Sequence, residues 1–293
     1  MSLPSPARYS PWSKGVYEVA PNLRPFGFDF GNGELDRKLF QFDSEFARYR
    51  ESKLRSLAER GGKYRCRQDL PPEVESAVSD LIVRRLLEDW PELFQLSEEG
   101  LACRLTGETV PLLLDDLLLQ VQGDAAVVCT AHDRDWVGYV NVCNPSHWRP
   151  TDKIGLSFFE SHLPVPGFER INAVAPAMVD AMVRKGPFVR FVWGLESDDR
   201  LNHHLEAPPG EDEDVWYGRR FEEGLFVRTE RQTLWPLPEV GAALFVIRVY
   251  VRPADEVRRD PGSWDALVRA VDSMSPAAKE YKGLTCLKLD QVR

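Results

Sequence analysis

Five short apolar segments, grouped two and three about a helical stretch, constrain this chain more than any other feature. Ala-Ala-Val-Val-Cys-Thr-Ala (125–131) and Trp-Val-Gly-Tyr-Val-Asn-Val-Cys (136–143) are joined by four polar residues, His132 to Asp135. That link is short enough for a hairpin. After Gly186 come segments 187–195, 224–234 and 241–251, the last two joined by the proline-rich turn 235–240. Short links make neighbouring strands antiparallel, whereas parallel strands need a long crossover. No G-x-G-x-x-G or G-x-x-x-x-G-K-[ST] run is present, so a nucleotide-binding α/β fold has no support. The pattern predicts an α+β chain built on a five-stranded, mainly antiparallel sheet.

The rest of the chain arranges itself around that sheet, and the reading is one domain over 1–293. Residues 1–32 form an arm rich in Pro, Gly and aromatics. A helical region follows over 33–95. Within it, Leu35, Leu39, Phe42, Phe46 and Tyr49 keep spacings of three and four, which predicts an amphipathic helix over 34–60 stopped by Gly61 and Gly62. Pro71-Pro72 open a second helix over 72–90, and Glu92-Leu-Phe reads as a helical turn or loop. Residues 100–105 and 108–114 suggest a hairpin around Thr106-Gly107, and 112–121 fits helix or strand. The sheet core spans 100–251 with a helical insertion at 150–186. The tail, 252–293, carries a helix over 262–282. Residues 206–214 are an acidic surface loop.

With 43% hydrophobic residues in 293, a sizeable core is available. A net charge of -9 disfavours broad contact with nucleic-acid phosphates or anionic lipid. The N-terminus lacks the apolar core of a signal peptide, and Val110 to Val121 is charged and too short to span a bilayer, so a cytoplasmic protein is expected. The five cysteines, Cys66, Cys103, Cys129, Cys143 and Cys286, form no C-x-x-C pair, which argues against a disulfide framework or structural zinc. Cys129 and Cys143 lie in apolar segments and read as buried thiols.

Five histidines are candidates for chemistry. His162 ends Lys153 to His162 and is followed by Leu-Pro-Val-Pro-Gly, so its ring sits on a proline-stiffened corner. Such an imidazole suits the proximal side of a five-coordinate haem iron; from the residues alone the plainer reading, an imidazole meeting the last carbonyls of a helix, comes first. His147, in a turn beside Trp148, is the second candidate ligand. His132, His203 and His204 lie in polar turns or beside the acidic loop, where exposure is the default. Strand alternation puts Arg228, Glu230 and Gln232 on one face and Thr229, Arg231 and Thr233 on the other. Buried Arg and Glu must pair with each other or bind an ionic partner. Arg190 and Arg248 extend a cationic stripe or face solvent. Trp148, Trp193 and Tyr250 wall a pocket or fill the core, and Asp115-Asp116 suit a turn or cap.

Several blocks in this order resemble the alpha-subunit family of haem-dependent oxidative N-demethylase, which includes dimethylamine monooxygenase subunits. They are Pro145-Ser-His-Trp148, Lys153-Ile-Gly155, Ser161-His162-Leu-Pro-Val-Pro-Gly167, Val192-Trp-Gly-Leu195, Val227-Arg-Thr-Glu-Arg-Gln-Thr-Leu234 with Leu237-Pro238, and Ala243 to Arg248. The resemblance covers about residues 25–260. It implies a PAS-like sheet binding haem b through a histidine. It also implies an oxygen-activating monooxygenase subunit that removes an N-methyl group from a small amine as formaldehyde, with electrons from a separate flavin and iron–sulfur reductase. Carried over residue by residue, His162 becomes the iron ligand and Arg228, Glu230 and Arg231 become site residues, with Glu230 and Arg231 as the catalytic pair and Arg228 on the cofactor. The residues themselves add His147 as second choice of ligand, and Arg190 and Trp193 as cofactor contacts. Val192 and the stretch Leu195-Glu-Ser197 depart from the family's usual pattern, which bears on the amine. The alternatives are a haem sensor or carrier without turnover, or a haem-free interaction domain.

Overall fold

A computed structural model describes residues 2–285, 287 and 289, with backbone alone at 170 and 171. The strands are β1 (Arg24–Pro25), β2 (Arg65–Arg67), β3 (Phe94–Ser97), β4 (Gly100–Cys103), β5 (Glu108–Val110), β6 (Asp124–Ala131), β7 (Arg134–Asn141), β8 (Phe188–Glu196), β9 (Phe226–Leu237) and β10 (Ala242–Pro253). The helices are α1 (Phe46–Tyr64), α2 (Pro72–Asp89), α3 (Leu114–Leu119), α4 (Phe158–His162), α5 (Glu169–Asn172), α6 (Ala175–Arg184), α7 (Glu213–Tyr217), α8 (Ala254–Arg258), α9 (Pro261–Asp272) and α10 (Pro276–Tyr281). The main sheet runs β1-β8-β9-β10-β6-β7-β2, and every pairing in it is antiparallel. The α+β architecture follows the expectation, and the five apolar segments are its central strands. Two edge strands of two and three residues extend it; neither is long enough to show a period. A separate small sheet holds β3, β4 and β5.

One face of the main sheet is closed. Ala242, Leu244 and Val246 of β10, with Ala125 and Val127 of β6, are nearly or wholly buried beneath α2, α3 and the small sheet. Farther along, Trp193, Leu195 and Val227 pack against Trp12, α8 and α9. Each aliphatic side chain buried this way stabilises the fold by roughly 1.5–3 kcal/mol. The other face is covered only in part by α4 and α6, through Phe158, Val179, Met182 and Val183. Ala126, Val137, Arg190, Val192, Gly194, Glu230, Gln232 and Phe245 lie in interior strands on that face, yet all remain half-buried.

Several sequence expectations are corrected. Residues 38–45 are not helical; helix α1 starts only at Phe46. The backbone N–H of Leu39 donates to Asp89 and that of Asp43 to Gln122, so distant side chains take the place of helical bonds. Leu39, Phe42, Phe46 and Tyr49 are nonetheless core residues. Gly61 and Gly62 do not stop α1: the break falls at Arg60 (φ -167°, ψ 93°), and a last turn follows to Tyr64. Phe94 belongs to a strand rather than a turn, and 112–121 resolves to the helix α3. The insertion is three short helices, and the tail helix divides where Ser275 caps α10. His203 and His204 are buried, at 3% and 2% exposure, not surface residues. Cys66, Cys103, Cys129 and Cys143 are free, and Cys286 lies outside the described residues. Among the described residues, no helix is long and apolar enough to cross a membrane.

Candidate functional site

Helix α4 is one and a half turns long and is held at its start by a capping box. Ser157 accepts from the Glu160 backbone N–H at 3.2 Å, and Glu160 accepts from the Ser157 N–H at 2.9 Å. His162 ends the helix. Its Nδ1 lies 2.7 Å from the Phe158 carbonyl oxygen, its ring stacks on Phe168 at 4.4 Å and 12°, and Phe158 tilts against it at 4.5 Å. Burial pushes the imidazole down to about 4, with the charges of Arg190 and Lys153 acting in the same sense against the bond to Phe158. The ring is neutral at neutral pH. Nδ1–H donates to Phe158, and among the described residues Nε2 has no hydrogen-bond partner.

The half-buried strip of the sheet brings further polar groups to the same side. Register places Arg190 beside Gln232, Val192 beside Glu230 and Gly194 beside Arg228. Glu230 accepts from Gln232 Nε2 at 3.1 Å. Burial lowers the Arg190 pKa against the pull of Glu230 and Tyr17, and its buried Nε has no hydrogen-bond partner. Lys282 reaches in from the tail, donating to the Trp193 carbonyl at 2.7 Å. Burial pushes its amine down to about 8, opposed by Glu230 and Glu196. A Cβ added at Gly194 would meet nothing within 4 Å, so the strip has open space above it. Two surface hollows, of about 400 Å³ at Pro4 and Trp90 and about 290 Å³ at Asp198 and Trp216, lie elsewhere and are not lined by His162, Arg190 or Glu230.

Arg228 shares the face of Glu230 and pairs with it, Nε lying 3.6 Å from Glu230 Oε1, while its guanidinium also binds the carbonyls of Leu201 and Asn144. The other expected site residues are distributed differently. Arg231 projects to the closed face, where it donates to Thr233 at 3.0 Å and approaches the carbonyls of Asp36 and Leu39. The structure therefore does not bring Glu230 and Arg231 together. Trp193 also faces the closed side, edge-on to Trp12 at 5.7 Å. Arg248 stands directly opposite Arg231, paired with Asp43 and stacked on Tyr49 and Tyr250. Arg190 and Arg248 thus lie on opposite faces and form no common stripe.

His147, the second candidate, belongs to another cluster, which sequence reasoning missed. Its Nε2 lies 2.9 Å from Glu196 Oε2, and its ring stacks on His203 at 4.9 Å and 29°. Burial pushes the His147 imidazole down. Burial also acts to raise the Glu196 carboxyl, but the bond and charge of His147, with His203 and Arg219, outweigh it and hold it at about 2. Glu196 is thus an ionised acceptor.

The sheet thus presents a neutral imidazole and a row of half-buried polar groups along one face. The family described as haem-dependent oxidative N-demethylase, alpha subunit-like, matches residues 33–289, and the chain belongs to it. Its name carries both a haem and a multi-subunit oxidative system. The residues present fit a haem. His162 offers an unprotonated Nε2 with no partner among the described residues, and its Nδ1 is fixed by a backbone carbonyl as in metal-binding histidines. Arg190 offers a guanidinium Nε without a partner, as a propionate contact requires.

Proposed function

We propose that this chain is the haem-bearing, oxygen-activating subunit of an oxidative N-demethylase that acts on a small methylated amine in a PAS-like fold. Two strands, a helical insertion and three more strands on one antiparallel sheet support the PAS-like reading. The observation that carries the function is the His162 ring: neutral, tied through Nδ1, without a partner at Nε2 among the described residues, and beside the open face of the sheet.

His162 would hold haem b by Nε2, with the Arg190 guanidinium and the Lys153 ammonium as partners for the propionates. When bound, the haem supplies the redox chemistry by which dioxygen oxidises the methyl group. The overall change consumes the amine, one dioxygen, two electrons and two protons. It yields the demethylated amine, formaldehyde and water. The electrons come from a separate flavin and iron–sulfur reductase. Glu230 meets an alkylammonium N–H with its carboxylate and receives the proton that the amine must lose. Gln232 holds that carboxylate in place. Val192, Phe245 and Val137 give the methyl groups an apolar wall and exclude water.

The test is formaldehyde release by the haem-loaded chain from secondary and tertiary methylamines, with a reductase supplying electrons. The expected result is formaldehyde in equal amount to the demethylated amine. A chain that takes up haem and is reduced, yet releases no formaldehyde from any methylated amine, would contradict the reading.

A further inference from the structure

His147 comes from one stretch of the chain and Glu196 and His203 from another, at the end of β8 and in the loop after it, and one ligand atom from each lies within 4.8 Å of the others. We propose that they form a binding site for a divalent transition metal that does not include His162, although Glu196 lies on the same face of β8 as Arg190 and Gly194. Ligands about 2.1 Å from a tetrahedral ion sit on the order of 3.4 Å apart, so the stacked rings of His147 and His203 must turn toward a common point to close the site.

The backbone fixes the two histidines relative to each other. Residues Ser146 and His203 form a parallel bridge, in which the His203 N–H donates to the Pro145 carbonyl and the His147 N–H to the His203 carbonyl, each at 3.0 Å. His147 adopts a left-handed backbone (φ 58°), a conformation uncommon outside glycine that strong local constraints maintain. Arg228 clamps the same two loops by binding the carbonyls of Asn144 and Leu201.

The chemistry of His203 points to an ion. The residue is 3% exposed, and its Nε2 stands 3.0 Å from Asp198 Oδ1. Its buried Nδ1 has no hydrogen-bond partner. An imidazole with one nitrogen tied to a carboxylate and the other bare is the arrangement found behind metal-binding histidines. Leaving that nitrogen bare costs about 1–3 kcal/mol, which a metal bond would offset. Two nitrogens and one carboxylate oxygen suit zinc or a similar first-row dication; calcium and magnesium take oxygen ligands. The metal would replace the proton shared by His147 and Glu196. Arg219 lies in the field of both and weakens the attraction for a dication. The Asp198 carboxylate opposes that effect. His147 is 26% exposed at its side chain, which leaves an entry path and a solvent-facing fourth position.

The test is metal content and zinc affinity of the full chain, loaded with haem, after removal of loosely bound metal. One zinc per chain is expected in the wild type. Asp198→Asn is expected to weaken binding about 10–100-fold. His203→Ala should abolish it, and both variants should keep the haem absorption band and the wild-type circular dichroism. If His203→Ala fails to fold, His147→Gln at the half-exposed position takes its place with the same expected loss. Wild-type protein that retains no zinc in excess zinc would overturn the proposal, as would variants that bind zinc as wild type does. Loss of the haem band from a folded His203 variant would assign the cluster to haem iron and overturn it too.

Discussion

Nδ1 of His162 stands 2.7 Å from the carbonyl oxygen of Phe158, one turn back along α4. A carbonyl accepts and never donates, so this contact puts the ring proton on Nδ1 and leaves the lone pair on Nε2. The same helix carries the capping box that fixes its first turn, so sequence-local chemistry at Ser157 and Glu160 orients a ring at the far end.

Acid should destabilise the haem-free protein through this residue. The folded ring titrates at about 4 against an ordinary 6.5, so the unfolded chain takes up its proton first as pH falls. The His162 contribution is full above 6.5, declines below it and is gone near 4. At about 1.4 kcal/mol per unit, it amounts to roughly 3 kcal/mol. Denaturant unfolding of wild type and His162→Gln across that window measures it. A difference between the two proteins that stays constant with pH would contradict the assignment.

Glu230→Gln is expected to keep the haem band and lower amine turnover about a hundredfold or more, because the proton acceptor facing the open side is gone. Steady-state formaldehyde release at several pH values reads this out. Turnover equal to wild type would remove Glu230 from the chemistry.

Arg190→Gln should weaken haem retention about 10–100-fold, the loss expected when one charge-assisted hydrogen bond is removed. Haem titration followed by absorption measures the change. An unaltered affinity would mean that the unpartnered Nε serves no propionate.

On the closed face Arg231 and Arg248 are bonded to protein groups. Arg248 and Asp43 are each 1% exposed at their side chains. Asp43→Ala leaves a buried guanidinium without its carboxylate and should cost roughly 3–5 kcal/mol of stability. Denaturant midpoints test this; a loss below about 1 kcal/mol would show that Tyr49 and Tyr250 alone satisfy Arg248.

The central strands were legible because their alternation and short links leave few alternatives to antiparallel pairing. Alternation also separated Glu230 from Arg231. It could not show which face is open, because that depends on how α4 and α6 pack from an insertion many residues away. Leu39 and Phe42 were recognised as core but assigned the wrong backbone, since apolar spacing registers burial while Asp89 and Gln122, far along the chain, take their backbone partners. The His147, Glu196 and His203 cluster left no signal. His147 and Glu196 are 49 residues apart, and loop backbone bonds alone bring the histidines together.

The most direct measurement is the absorption spectrum of the purified chain after haem addition, compared with His162→Ala and His147→Ala. A haem band in wild type and His147→Ala, lost or displaced in His162→Ala, is the expected result. A His162→Ala spectrum identical to wild type would contradict the account at its centre.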